Sequence, residues 1–98
     1  MQFKTCDILS CSTGILMGKM DGVYKVAEFL VGAPVWTHQL VEIAPVMRAF
    51  FAERFDNIPG RDAISEDTPW DFVLSECEDR VGKTFDIPEK FRGVLGCG

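Results

Sequence analysis

The sequence predicts a mainly α domain: a compact bundle of three helices with at most a small two-stranded β element, an α+β arrangement being the lesser alternative. Three observations predict it. Apolar residues recur at helical spacing in three separate segments. Capping and stop residues bound each of those segments. Only two short stretches carry a strand pattern. A chain of 98 residues is one domain, spanning residues 1–98, and amphipathic helices of this kind need one another because each has one apolar face to bury.

Residues 1–18 come first. Thr5 is suited to cap a short helical turn through Asp7, Ile8 and Leu9. Ser10 to Gly14, rich in small hydroxyl side chains, reads as loop. Ile15, Leu16 and Met17, between Gly14 and Gly18, form a short apolar run whose periodicity fits a short strand or a buried turn equally.

The first clear helix starts with Asp21 as N-cap. Val23, Val26, Ala27 and Leu30 then fall on one face, with Gly32 and Pro34 as stop. Thr37 is the expected N-cap of the second helix, which carries a wide stripe of Leu40, Ile43, Ala44, Met47, Phe50 and Phe51. Pro45 lies inside that stripe and removes a backbone donor, so a kink or a split into two segments is expected. Asn57, Pro59 and Gly60 end it. The third helix is announced by Thr68 as cap and Pro69 at the first helical position. Trp70, Val73, Leu74, Cys77 and Val81 form its stripe, and Gly82 ends it. Lys83 to Ile87 alternates polar and apolar, as a half-buried strand does, and would pair with residues 15–17. Phe91, Val94 and Leu95 are the residues able to order the tail. Phe51 belongs in the core, whereas Trp36 fits core or interface.

Composition narrows the function classes. The chain is 47% hydrophobic with eight Phe and two Trp, enough to fill a thin core and to exclude intrinsic disorder as the default. No apolar run reaches the roughly 18 residues of a membrane helix, and Asp7 interrupts the start too early for a secretory signal. A cytoplasmic location in a bacterial host cell is the expectation. Cys6, Cys11, Cys77 and Cys97 are then free thiols. Fifteen acidic against ten basic side chains give a net charge of −5, which repels nucleic-acid phosphates and suits a protein partner with a basic surface.

No catalytic set emerges. His38 stands alone in the first turn of the second helix, where the positive helix end favours its neutral ring. A capping-region role is the simpler reading. Cys6 and Cys11 have the spacing of half a zinc site, but Cys77 and Cys97 supply no second half. No metal or cofactor is expected. Ser10, Ser12, Thr13 and Gly14 lack the lysine of a phosphate-binding loop.

The acidic run stands out more. Asp62, Glu66, Asp67, Asp71, Glu76, Glu78 and Asp79 follow one another with no Lys or Arg between them. Acids at the start of a helix are favoured structurally, and a solvated face is the ordinary explanation for such a run. The functional one is a negative surface that docks onto a basic partner, with a salt-sensitive on-rate.

Four short motifs come in a telling order: Asp7-Ile8-Leu9-Ser10, Ser12-Thr13-Gly14 with Leu16, Met20-Asp21 with Val23-Tyr24, and Thr37-His38-Gln39-Leu40. In these first 40 or so residues the chain resembles a family of small, uncharacterised proteins of tailed phages and prophages. The resemblance implies a mobile-element gene and makes Thr13, Gly14, Thr37, His38 and Gln39 residues of interest, but it carries no activity. The leading expectation is therefore a non-enzymatic phage or prophage accessory protein that binds a host or phage protein, in its sharpest form an inhibitor of a host defence or nucleic-acid-handling complex. One alternative is a small enzyme or ligand-binding domain centred on His38, Gln39 and the Ser12-Thr13 loop. Another is a self-associating virion or assembly component.

Overall fold

A computed structural model of the chain describes residues 1–96; Cys97 lies outside them. Among the described residues there are four α-helices, α1 (Thr5–Thr13), α2 (Met20–Val31), α3 (Thr37–Arg54) and α4 (Trp70–Val81), and two strands, β1 (Gln2–Lys4) and β2 (Thr84–Asp86). Single 3-10 turns lie at Arg61–Ala63 and Glu89–Phe91. The mainly α class holds, with one helix more than the three expected.

The extra helix is α1, and it occupies the centre of the molecule. Thr5 and every residue from Asp7 to Thr13 is buried on it, and it packs on α2, α3, α4 and both strands. Its hydroxyl residues do not form the loop expected over Ser10–Gly14, because each finds a carbonyl partner, two of them inside the helix and the third at Pro59. Ser10 Oγ donates to the Cys6 carbonyl at 2.7 Å and Thr13 Oγ1 to the Leu9 carbonyl at 2.6 Å. This back-bonding satisfies a buried hydroxyl without leaving helical geometry. Gly14, at φ 78, ends α1 and donates its N–H to the Ser10 carbonyl.

Of the two readings open for residues 15–17, the strand does not form; Ile15 to Met17 is an irregular connection. The ribbon forms instead between β1 and β2, antiparallel, with Phe3 opposite Phe85. Phe3 in turn meets Phe29 of α2 edge-on, with ring centroids 5.4 Å apart. Strand β1 was illegible because three residues carry too little pattern.

On α2 the expected stripe is buried: Val23, Val26, Ala27 and Leu30. Its cap is Lys19, two residues before the expected Asp21, which sits within the first turn. Helix α3 runs through Pro45 as one segment rather than splitting. Pro45 is exposed and so is Val41, whose carbonyl loses its donor, which lets solvent replace the missing bond. Trp36, not Thr37, caps α3: Gln39 Oε1 accepts the Trp36 N–H at 2.8 Å, one half of a capping box. Likewise Pro69, not Thr68, caps α4.

The core closes with aromatic rings. Phe50, Phe51 and Phe55 of the α3 end meet Phe85 of β2 and Phe91 of the last 3-10 turn, at centroid separations of 5.3 to 5.9 Å. Phe51 is fully buried, as expected, whereas Trp36 is 67% exposed. The tail docks on the end of α2 through Gly93 N–H to the Phe29 carbonyl and Leu95 N–H to the Leu30 carbonyl.

Candidate functional site

The acidic run occupies the second half of the chain. Asp62 lies in the first 3-10 turn. Glu66 and Asp67 sit in a loop closed by reciprocal backbone bonds between Ser65 and Thr68. Asp71, Glu76, Glu78 and Asp79 are on α4. Six of the seven are exposed and Glu78 is half-buried. Ion pairs among the described residues involve Met1, Asp86, Glu89 and Arg92 and none of these seven acids.

Helix α4 adds aromatic surface to this charge. It buries only Val73 and Cys77, with Leu74 and Val81 half-buried, so its inner stripe is narrow. At about 100° per residue, Phe72, Glu76 and Asp79 fall on the opposite side, at i, i+4 and i+7. Phe72 is 50% exposed there and Trp70, at the start of the helix, 42%. Exposed aromatics set in a polar, charged surround are a feature that interfaces share.

The five motif residues do not assemble into one site. Thr13 Oγ1 is buried and occupied by the Leu9 carbonyl and the Ile15 N–H. Ser12 Oγ ties α1 to the Pro59 carbonyl at 2.9 Å. Gly14 lies under the Arg48 guanidinium. Thr37 Oγ1 accepts the Tyr24 hydroxyl at 2.9 Å, and Gln39 caps α3. His38 is exposed. Gln39 borders a cavity with Val35, Glu42 and Leu95, while Gly14 borders another with Leu16, Met20 and Leu40. Neither contains His38, Ser12 or Thr13.

One constellation escaped the sequence reading. Asp7, in the first turn of α1, is 9% exposed. Its carboxylate lies against Gly18 and Gly22, at the start of α2. It borders a polar cavity of about 280 Å³ together with Lys4, Cys6, Lys19, Asp21 and Lys25. Cys6 Sγ, 3.8 Å from Asp7 Oδ1, is its sole hydrogen-bond donor among the described residues. Burial first, then the Asp7 charge, push the Cys6 thiol up, and the same two causes push the Cys11 thiol up to about 12. Neither is thus a ready nucleophile. Two features could have exposed the site in the sequence: a lone acid inside an apolar run, and a glycine inside a helical pattern, which commonly marks a close approach.

Among the described residues no three His, Cys, Asp or Glu side chains gather to hold a metal ion, and no helix is long and apolar enough to cross a membrane. Fold and surfaces together define a small helical domain with an acidic, aromatic-bearing face and a separate polar cavity. The profile of a family described as a domain of unknown function (DUF7736) matches residues 3–61, more than half of the chain, and the chain belongs to that family. No curated protein and no solved structure matches it. The matched part contains every residue around the Asp7 cavity, whereas the acidic run begins at Asp62, just beyond it.

Proposed function

We propose that this chain is a non-enzymatic binding protein that docks onto a basic protein surface through the outer side of α4 and the loop before it. The observation that carries this reading is the exposure of Phe72 in line with Glu76 and Asp79, with Trp70 nearby. The acids steer a basic partner and the aromatics supply apolar anchors. The resemblance of the first 40 or so residues to tailed-phage and prophage proteins supplies the setting: a bacterial cell, with a host or phage protein as partner and a defence or nucleic-acid-handling complex as its sharpest form.

The test is capture on the immobilised chain at low salt, run in parallel with Phe72→Ala/Trp70→Ala and with Asp71→Asn/Glu76→Gln/Asp79→Asn. The expected result is a basic protein retained by the wild type, released by salt and lost from both variants. Retention of the same proteins by all three chains would end this reading.

A further inference from the structure

The cavity at Asp7 stands apart from the α4 surface and is made differently. A buried carboxylate calls for donors. Asp7, nine-tenths buried, accepts only the Cys6 thiol among the described residues and forms no ion pair there. The first turns of α1 and α2 supply partial positive charge beside it, but no hydrogen bond from either is made. Among the described residues no fully buried side-chain oxygen lacks a partner, so the Asp7 oxygen not bonded to Cys6 is open to solvent in the cavity of about 280 Å³ that Asp7 borders.

The cavity has two electrostatic ends. Its floor is Asp7 and Gly22, both buried; its mouth is Lys4, Lys19 and Lys25, all exposed, with Asp21. No side chain at position 18 or 22 fills the space beside Asp7: a Cβ on Gly18 would stand 3.1 Å from Asp7 Oδ1 and from Cys6 Sγ. A simple anion entering this cavity meets the Asp7 carboxylate, and a bare cation meets three ammonium groups against the single carboxylate of Asp21 at the mouth. A molecule with a cationic donor at one end and an anion at the other satisfies both. At about 280 Å³ the cavity lies at the small end of ligand sites, the scale of an amino acid.

We propose that the cavity between the first turns of α1 and α2 binds a small zwitterion, its ammonium or guanidinium group on the Asp7 carboxylate and its carboxylate or phosphate among Lys4, Lys19 and Lys25. All of these residues lie inside the family match, so the site is independent of the docking surface on α4.

Titration calorimetry of the full chain tests it, with L-arginine and phosphoethanolamine as zwitterions that distinguish a carboxylate from a phosphate end. n-Propylamine and inorganic phosphate carry one charge each. The expected result is one-to-one binding of at least one zwitterion, about ten-fold or more tighter than either single-charge probe, with amide shifts at Gly18 and Gly22. Asp7→Asn and Lys4→Gln/Lys19→Gln/Lys25→Gln should each weaken it about ten-fold or more. If Asp7→Asn does not fold, the lysine variant, altered at exposed positions, decides. Absence of binding by both zwitterions at millimolar concentration, equal binding of inorganic phosphate, or full binding by the variants would overturn the proposal.

Discussion

The carboxylate of Asp7 lies directly over the Cα of Gly22, so that a Cβ at position 22 would overlap it. An acid of α1 and a glycine of α2 thereby set how closely the two helices approach. Gly is normally unfavourable inside a helix by about 0.5–1 kcal/mol relative to Ala, and α2 carries that cost to accommodate Asp7. Gly22→Ala should therefore destabilise the chain by about 1–3 kcal/mol through overpacking. In an Asp7→Ala background the same change should be neutral or stabilising by up to about 1 kcal/mol. Urea denaturation of the four chains of this cycle checks it; a destabilisation that is unchanged without Asp7 would show that the contact is not the cause.

A second prediction concerns the junction of α1 with α4. The Thr5 hydroxyl, fully buried, donates to the Gly82 carbonyl at 2.6 Å, and the Thr5 N–H to the Lys83 carbonyl at 2.9 Å. Thr5→Val keeps the shape and removes the hydroxyl. It should cost about 1–2 kcal/mol in urea denaturation, and faster amide exchange in β2 should accompany it.

The raised Cys11 thiol gives a pH dependence with a definite sign. Its ordinary value is 9.0, and in the folded chain burial, then the Asp7 charge, push it up to about 12. Above the first value the unfolded state sheds a proton that the folded state keeps, so stability falls as pH rises. Between about pH 8 and about pH 10, wild type should lose on the order of 1 kcal/mol more than Cys11→Ala does. Equal losses in the two chains would remove Cys11 as the source.

Much of the fold is legible in the sequence, and the failures have physical causes. The stripes of α2 and α3 were readable because each has one dry face; Val26 and Leu30, or Met47 and Phe51, repeat at helical spacing. Helix α1 was hidden because it is buried on nearly every side and therefore has no periodic contrast. Its Ser10, Ser12 and Thr13 imitate loop composition while bonding to carbonyls, two of them in the preceding turn of the same helix. The acidic run is legible as charge, but its aromatic component is not: the spacing puts Trp70 on the inner stripe, yet it stands 42% exposed at the helix start. Asp7 is hidden in the sequence because its neighbours come from later in the chain, Gly18 from the connection before α2 and Gly22 from α2 itself.

The α4 aromatics should contribute less to folding than buried rings do. Because Trp70 and Phe72 are 42% and 50% exposed, Phe72→Ala/Trp70→Ala should cost about 1–3 kcal/mol in all, well below the about 3–5 kcal/mol per ring of a fully buried aromatic. Thermal unfolding checks this; a loss several times larger would mean that both rings belong to the core and are not reserved for a partner.

Site-specific photo-cross-linking tests the docking surface most directly. A benzophenone side chain replaces Phe72 in one chain and, as control, Val41 of α3, which is 73% exposed. The predicted result is a discrete adduct with a basic protein from the Phe72 position alone, lost when Glu76 and Asp79 become Gln and Asn. The same adducts from both positions, or none from Phe72, would contradict it.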